Sequence, residues 1–180
     1  MKTELSFTDI DKVDTEAIVL LFFDDERPLR GAAGIMDWRM NGAISNLIMN
    51  NKIRGEKGES ILLLPNKRIK GKKVLMMGLG DSSKFTESTL KKTSGEVMNK
   101  LLKIGVKKFH LAIPSKELLS INAQVTALNV TEGIKSIIEK NKINDSDLSL
   151  TLSIDESYIK GVDNSLDILK REVKGLSHQN

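Results

Sequence analysis

Two glycine-rich turns are the part of this sequence best suited to chemistry. Each turn follows an apolar run and precedes a helical pattern. Glycines in such turns let backbone N–H groups approach an anion at a helix N-terminus, and ligands of open α/β sheets bind beyond the C-terminal ends of the strands. Neither turn matches a Walker A loop or a complete Gly-x-Gly-x-x-Gly, and glycine also serves turns that bind nothing. The candidate anion- or ligand-binding residues are Gly31, Ala32, Ala33, Gly34, Gly78 and Gly80.

Catalytic side chains are scarce. The chain has no cysteine, and its two histidines, His110 and His178, lie far apart in the sequence. A lone strand histidine such as His110 is more often structural than catalytic. The close carboxylates occur at 24–26, 145/147 and 155–156, where turn acids are expected to be solvated. No spacing typical of a metal site or of a nucleophile elbow is present. We therefore predict no catalytic residue, no metal and no cofactor.

The charge is distributed unevenly along the chain. The net charge is +4, yet residues 1–30 contain eight acids and four bases, whereas residues 52–73 contain eight bases and two acids. Basic stretches attract nucleic acid and other polyanions, so residues 52–73 and 91–108 are candidate contacts. Stacking platforms for bases need clustered aromatic residues, and this region has few. A solvated lysine-rich surface is the simpler interpretation.

Hydrophobic periodicity predicts an alternation of strands and helices. Continuous apolar runs favour buried strands, and a 3.6-residue period favours amphipathic helices. Strands are predicted near 5–10, 17–23, 60–64, 72–78, 108–113 and 148–154, and helices near 34–50, 86–104, 122–140 and 157–175. Residues 60–64 and 72–78 are expected to pair as a hairpin. The fold class is α/β: a three-layer α/β/α sandwich with a mixed, mostly parallel sheet of about six strands and four helices.

Length and hydropathy predict one soluble domain covering residues 1–180. No basic start followed by an apolar run is visible, and the longest strongly apolar stretch, residues 17–23, is far too short to span a bilayer. We therefore expect a cytoplasmic protein without a membrane partner.

Three segments in a fixed order carry a family resemblance. They are Leu-Arg-Gly-Ala-Ala-Gly at 29–34 followed by Gly-Ala-Ile-Ser at 42–45, then residues 55–65, then residues 72–80 with Lys84 and Phe85. This order resembles the N-terminal domain of the leucine (cytosol) aminopeptidase family, from about residue 5 to residue 175. The segment 29–85 is its strongest part.

The resemblance implies a macro-domain-like unit that precedes a separate catalytic domain. In that family the catalytic domain holds two metal ions and supplies every metal ligand. Its signature, Asn-Thr-Asp-Ala-Glu-Gly-Arg, is absent from this sequence. No catalytic residue can therefore be assigned here, and we expect the isolated chain to lack aminopeptidase activity. The resemblance also implies a role in hexamer assembly, DNA binding in some members, and a fold that binds ADP-ribose elsewhere.

The first functional hypothesis is a non-catalytic assembly or regulatory domain, which associates with itself or with a separate aminopeptidase chain. Trp38 would mark an interface if it is exposed; packing against the sheet is the alternative. A second hypothesis is a macro-like module that binds ADP-ribose or a nucleotide through residues 31–34 and 78–80. A DNA-binding accessory and a truncated part of a metal-dependent aminopeptidase are further alternatives.

Overall fold

A computed structural model describes residues 1–6, 8–114 and 123–153. Six strands in these ranges form one sheet in the order β1-β6-β5-β2-β4-β3. Neighbouring strands are parallel except β3, which runs antiparallel to β4 at one edge. The strands are β1 (Lys2–Ser6), β2 (Ala17–Phe22), β3 (Ser60–Leu63), β4 (Val74–Gly78), β5 (Lys108–Ala112) and β6 (Ser149–Ser153).

Helices cover both faces of this sheet. They are α1 (Gly31–Arg39), α2 (Ala43–Met49), α3 (Glu87–Lys103) and α4 (Ala123–Lys140). Side chains of β2 alternate between two apolar cores: Ile18 packs with Met36 and Ile44 of α1 and α2, whereas Val19 packs with residues of α3 and α4. All six residues of β2 are buried because both faces of this central strand are covered. The predicted three-layer α/β/α architecture is confirmed.

Several local predictions are also confirmed. The segments at 60–64 and 72–78 form the antiparallel pair β3–β4. Thr86 caps α3, because its Oγ1 accepts a hydrogen bond from the backbone N–H of Thr89 at 3.2 Å. No helix of the described residues is long and apolar enough to cross a membrane.

Two element predictions are wrong in detail. The single helix expected at 34–50 is two helices, since Gly42 adopts φ +75° and ends the continuity between α1 and α2. The first strand begins earlier than predicted, at Lys2, and Ile10–Lys12 is a short 3-10 helix instead of the strand's end. The helix predicted at 157–175 lies outside the described residues.

Candidate functional site

The two glycine turns follow the C-terminal ends of two neighbouring strands. β2 and β4 are parallel neighbours, and Phe22 at the end of β2 pairs with Gly78 at the end of β4. After β2 the chain forms β3 and β4 on one side of β2, and it then forms β5 on the other side. The space beyond β2 and β5 is thus the topological switch point, where open α/β sheets bind ligands.

A neighbouring loop covers the second glycine turn. The N–H of Gly78 donates to the carbonyl oxygen of Glu59, and the N–H of Gly80 donates to that of Gly55, each at 2.9 Å. A Cβ on Gly78 would lie 2.1 Å from the carbonyl oxygen of Glu56, so only glycine allows this close approach. These two amides are engaged within the protein, and a role of Gly78 and Gly80 in binding an anion stays a prediction.

The loop itself contains an anion-binding arrangement that sequence reasoning missed. Glu59 Oε2 accepts hydrogen bonds from the N–H groups of Arg54, Gly55 and Glu56 at 2.7, 2.8 and 3.2 Å. Three successive amides that converge on one oxygen form the kind of concavity that binds anions. Here the protein's own carboxylate fills it. A glutamate four residues after a turn glycine was the available sequence signal.

The first glycine turn begins α1 beside a buried carboxylate. Gly31 has φ +50°, and a Cβ on Gly34 would lie 2.6 Å from the carbonyl oxygen of Leu29. Glu26, expected to be solvated, is instead only 4% exposed. Its Oε1 accepts from the N–H of Arg30 at 2.7 Å, and its Oε2 accepts from the N–H of Phe23 at 3.2 Å. Burial raises the pKa of Glu26, and these two backbone hydrogen bonds act in the opposite direction.

A small cleft lies between this carboxylate and the end of β5. Its cavity volume is about 10 Å³, roughly the space that one water molecule needs, whereas pockets for drug-sized ligands hold roughly 300–1,000 Å³. Ala32 and Ala33 of the predicted site line the cleft, and Gly78 and Gly80 do not. Its walls are Leu20, Leu21, Glu26, Arg30, Ala32, Ala33, Ala112, Ile113 and Pro114.

The other turn acids have separate roles. Asp25 accepts hydrogen bonds from the hydroxyl and the N–H of Ser82, and the hydroxyl contact is the main reason that its pKa is lowered. The pKa of Asp24 is raised, first by burial and then by the charges of Asp25 and Asp81. Across the described ranges, no three histidine or acidic side chains gather in a group that could hold a metal ion.

His110 is buried in β5, so its ring does not face solvent. Its side chain is 3% exposed, and its Nε2 pairs with the hydroxyl of Ser153 on the adjacent strand β6. Burial lowers the pKa of His110 to about 4, so the ring is neutral at physiological pH.

The sheet order, the two helical layers and the cleft at the switch point define an α/β protein with a macrodomain-like fold. A solved structure of the Oceanobacillus iheyensis macrodomain with ADP matches with a TM-score of 0.72 at 13% identity, covering 98% of this chain and 92% of that one. A mutant of tomato leucine aminopeptidase matches with a TM-score of 0.70 at 14% identity, covering 97% of this chain and 35% of the enzyme. At these identities the likeness shows the fold.

The sequence comparisons identify the family. The model of the N-terminal domain of the cytosol aminopeptidase family matches residues 18–140. A probable cytosol aminopeptidase of Sulfurihydrogenibium is 30% identical over 100 residues, which is 56% of this chain and 20% of the relative. This chain belongs to the cytosol aminopeptidase family, of which it contains the N-terminal domain. It spans about a fifth of the length of that relative.

Proposed function

We propose that this chain is a non-catalytic assembly or regulatory domain, which associates with itself or with a separate chain that carries an aminopeptidase catalytic domain. The family assignment supports a link to aminopeptidases. The observation that carries the proposal is an exposed apolar surface on α1 and α2. We call Ile35, Trp38 and Met49 the α1–α2 patch.

The α1–α2 patch has the composition of a binding surface. Its three side chains are 45%, 70% and 72% exposed. Ile35 and Trp38 are three residues apart and so lie on one face of α1. Exposed apolar patches mark interaction sites, and tryptophan is enriched among residues that dominate binding energy. The sequence left open whether Trp38 is exposed or packed; it is exposed.

Trp38 has one side-chain contact within the chain that restricts its ring. The guanidinium of Arg39 lies 4.7 Å from the centroid of the Trp38 ring. Arg39 is in turn fixed by Asp11, since its Nε lies 2.7 Å from Oδ2 of this buried carboxylate. A preorganised aromatic side chain loses less conformational entropy on binding, which favours association.

Light scattering tests this proposal. The wild-type chain, measured over a concentration series and again with a full-length cytosol aminopeptidase, is expected to form a complex larger than the monomer. Trp38→Ser should weaken that association by about tenfold or more, as for central interface residues. Ile104→Ser is the matched control, because it removes another exposed apolar side chain outside the patch.

Two results would contradict the proposal. One is a strict monomer that does not associate with the aminopeptidase at any concentration. The other is equal weakening by Trp38→Ser and Ile104→Ser, which would show that the association does not use the α1–α2 patch.

ADP-ribose or nucleotide binding is a second candidate. It is supported by the cleft at the switch point, by the N-terminus of α1 beside it, and by the macrodomain-like fold. The small volume of the cleft and the carboxyl group of Glu26 count against it, because Glu26 already accepts the N–H groups of Phe23 and Arg30 at the entrance of α1. For this reason assembly ranks first.

A further inference from the structure

The two basic segments of the sequence meet in one groove. The groove is open, has a volume of about 400 Å³, and combines one side of α3 with the loop that precedes β3. Three lysines and a single glutamate give it a positive character. The lining residues are Lys57, Gly58, Glu96, Asn99, Lys100 and Lys103.

The groove lies on the side of α3 that faces away from α4. Lys91 and Gly95 mark the opposite side of α3, since Lys91 pairs with Glu132 of α4 and Gly95 approaches Gly133. At 3.6 residues per turn, positions 96, 100 and 103 point away from that contact. The loop that precedes β3 lies on this side, since a Cβ on Gly58 would lie 3.5 Å from Oε2 of Glu96.

β3 presents apolar side chains on the same face as α3. Ile61 and Leu63 pack into the core beneath α1 and α2. Strand side chains alternate between faces, so Leu62 and Leu64 point to the α3 face. They are 44% and 79% exposed. In the part of the chain that the structure describes, no element covers them.

The backbone of β3 is available on its outer side. β4 is its neighbour in the described sheet. The N–H of Gly78 donates to the carbonyl oxygen of Glu59. Hydrogen-bonded pairs alternate along an antiparallel ladder, so the peptide groups of residues 61 and 63 also face β4. The N–H and C=O groups of residues 60 and 62 point outward. Such an edge is a template for another strand.

We propose that β3 and this groove bind an extended acidic segment of a partner protein by strand addition. The segment's backbone pairs with residues 60 and 62, its apolar atoms contact Leu62 and Leu64, and its carboxylates face Lys57, Lys100 and Lys103. Main-chain pairing with side-chain pockets on one face is an established mode of peptide recognition. This site lies across the sheet from the α1–α2 patch and does not depend on it.

Charge decides the kind of occupant. Pairing β3 of two copies about a two-fold axis would place the lysines of both copies along one ribbon, and like charges at an interface are unfavourable. Among the described residues, none that lines the groove is aromatic and could stack a base. The apolar residues and the open backbone edge suit an acidic peptide better than a nucleic acid.

Fluorescence anisotropy of the full chain tests this inference. The probe is a labelled ten-residue peptide in which every second residue is threonine and the residues between are glutamate and valine in turn, so that one face of the strand carries both acidic and apolar side chains. We expect saturable binding that weakens with added salt and falls by about tenfold or more with Lys100→Glu/Lys103→Glu. Lys140→Glu/Lys142→Glu is the matched control, because both lysines are exposed outside the groove. Trp38→Ser should bind the probe as the wild type does, so this test is separate from the assembly test.

Chemical modification of the probe distinguishes strand addition from simple charge attraction. N-methylation of the alternate amides that face β3 should abolish binding, whereas N-methylation of the other alternate amides should preserve it. No saturable binding would overturn the inference, as would equal effects of the two methylation patterns. Tighter binding of a labelled oligothymidylate that is lost in Lys100→Glu/Lys103→Glu would also overturn it. Each variant must retain the wild-type thermal midpoint and circular dichroism.

Discussion

At the scale of the residue, burial changes the chemistry of two groups that the sequence shows as ordinary. Glu26 lies in an Asp-Asp-Glu run but is enclosed at the entrance of α1, where two backbone N–H groups bind it. His110 lies between β2 and β6 and remains neutral. Residue type alone predicts neither the burial of Glu26 nor the neutral ring of His110, because burial depends on neighbours distant in the chain.

His110 predicts an acid-sensitive fold. The unfolded chain takes up this proton near pH 6.5, but the folded chain does so only near pH 4. Between these values the unfolded state binds more protons, so stability falls as the pH falls. We expect the free energy of unfolding to lose roughly 2–3 kcal/mol from this group between pH 7.5 and 4.5.

Urea unfolding of the wild type and of His110→Gln at both pH values measures this effect. The variant lacks the titrating ring, so its stability should decline less over the same range by about the predicted amount. Identical pH dependence of the two proteins would show that His110 does not titrate with the lowered pKa.

At the scale of the element, two glycines let α3 and α4 pack closely. A Cβ on Gly95 would lie 3.1 Å from the carbonyl oxygen of Gly133, and a Cβ on Gly133 would lie 2.1 Å from that of Lys91. Backbone cannot move aside as a flexible side chain can. The separation of the two helices on this face of the sheet is therefore set by residues that carry no side chain.

Gly133→Ala should destabilise the protein in spite of alanine's higher helix propensity. Overpacking costs roughly 1–3 kcal/mol, and the propensity gain recovers up to about 1 kcal/mol. We expect a net loss of about 1–2 kcal/mol in chemical denaturation. Glu139→Ala, at an exposed position of the same helix, is the control and should change little. A Gly133→Ala variant as stable as the wild type would mean that α3 and α4 can move apart without lowering the free energy of unfolding.

At the scale of the whole molecule, the sheet order creates the cleft and the buried carboxylate restricts it. The cleft lies beyond β2 and β5, which are neighbours in the sheet although the chain continues from them in opposite directions across it. Glu26 and the alanines of α1 leave it about 10 Å³. Open α/β sheets bind ligands at this position, and here the cleft retains little room beside a buried carboxyl group.

Thermal unfolding with ADP-ribose decides between the two candidate functions. A ligand at a hundred times its dissociation constant adds about 2.7 kcal/mol of stability, which is easily seen as a shift. We expect no shift beyond that produced by inorganic phosphate at equal ionic strength, because the cleft has little room beside Glu26. A specific shift with ADP-ribose would assign the cleft and Gly31, Ala32, Ala33 and Gly34 to a working binding site.

The sequence by itself determined the fold class and the family. Apolar runs and helical periods mark the six strands and most of the helices, since burial on two faces requires continuous apolar residues. The strands 60–64 and 72–78 were paired correctly because a hairpin is a local structure. Gly78 lies at the C-terminal end of β4 as expected, and residues 31–34 form the first turn of α1. These features depend on residues close together in the chain.

The tertiary structure alone decided what those turns can do. Gly78 and Gly80 donate to a loop more than 18 residues earlier in the chain, and the register of β2 with β4 brings the two turns together. The meeting of the two basic segments beside a free edge strand also depends on strand order. Non-local contacts determine whether an amide, a carboxylate or an apolar side chain is engaged or open, and no local pattern encodes them.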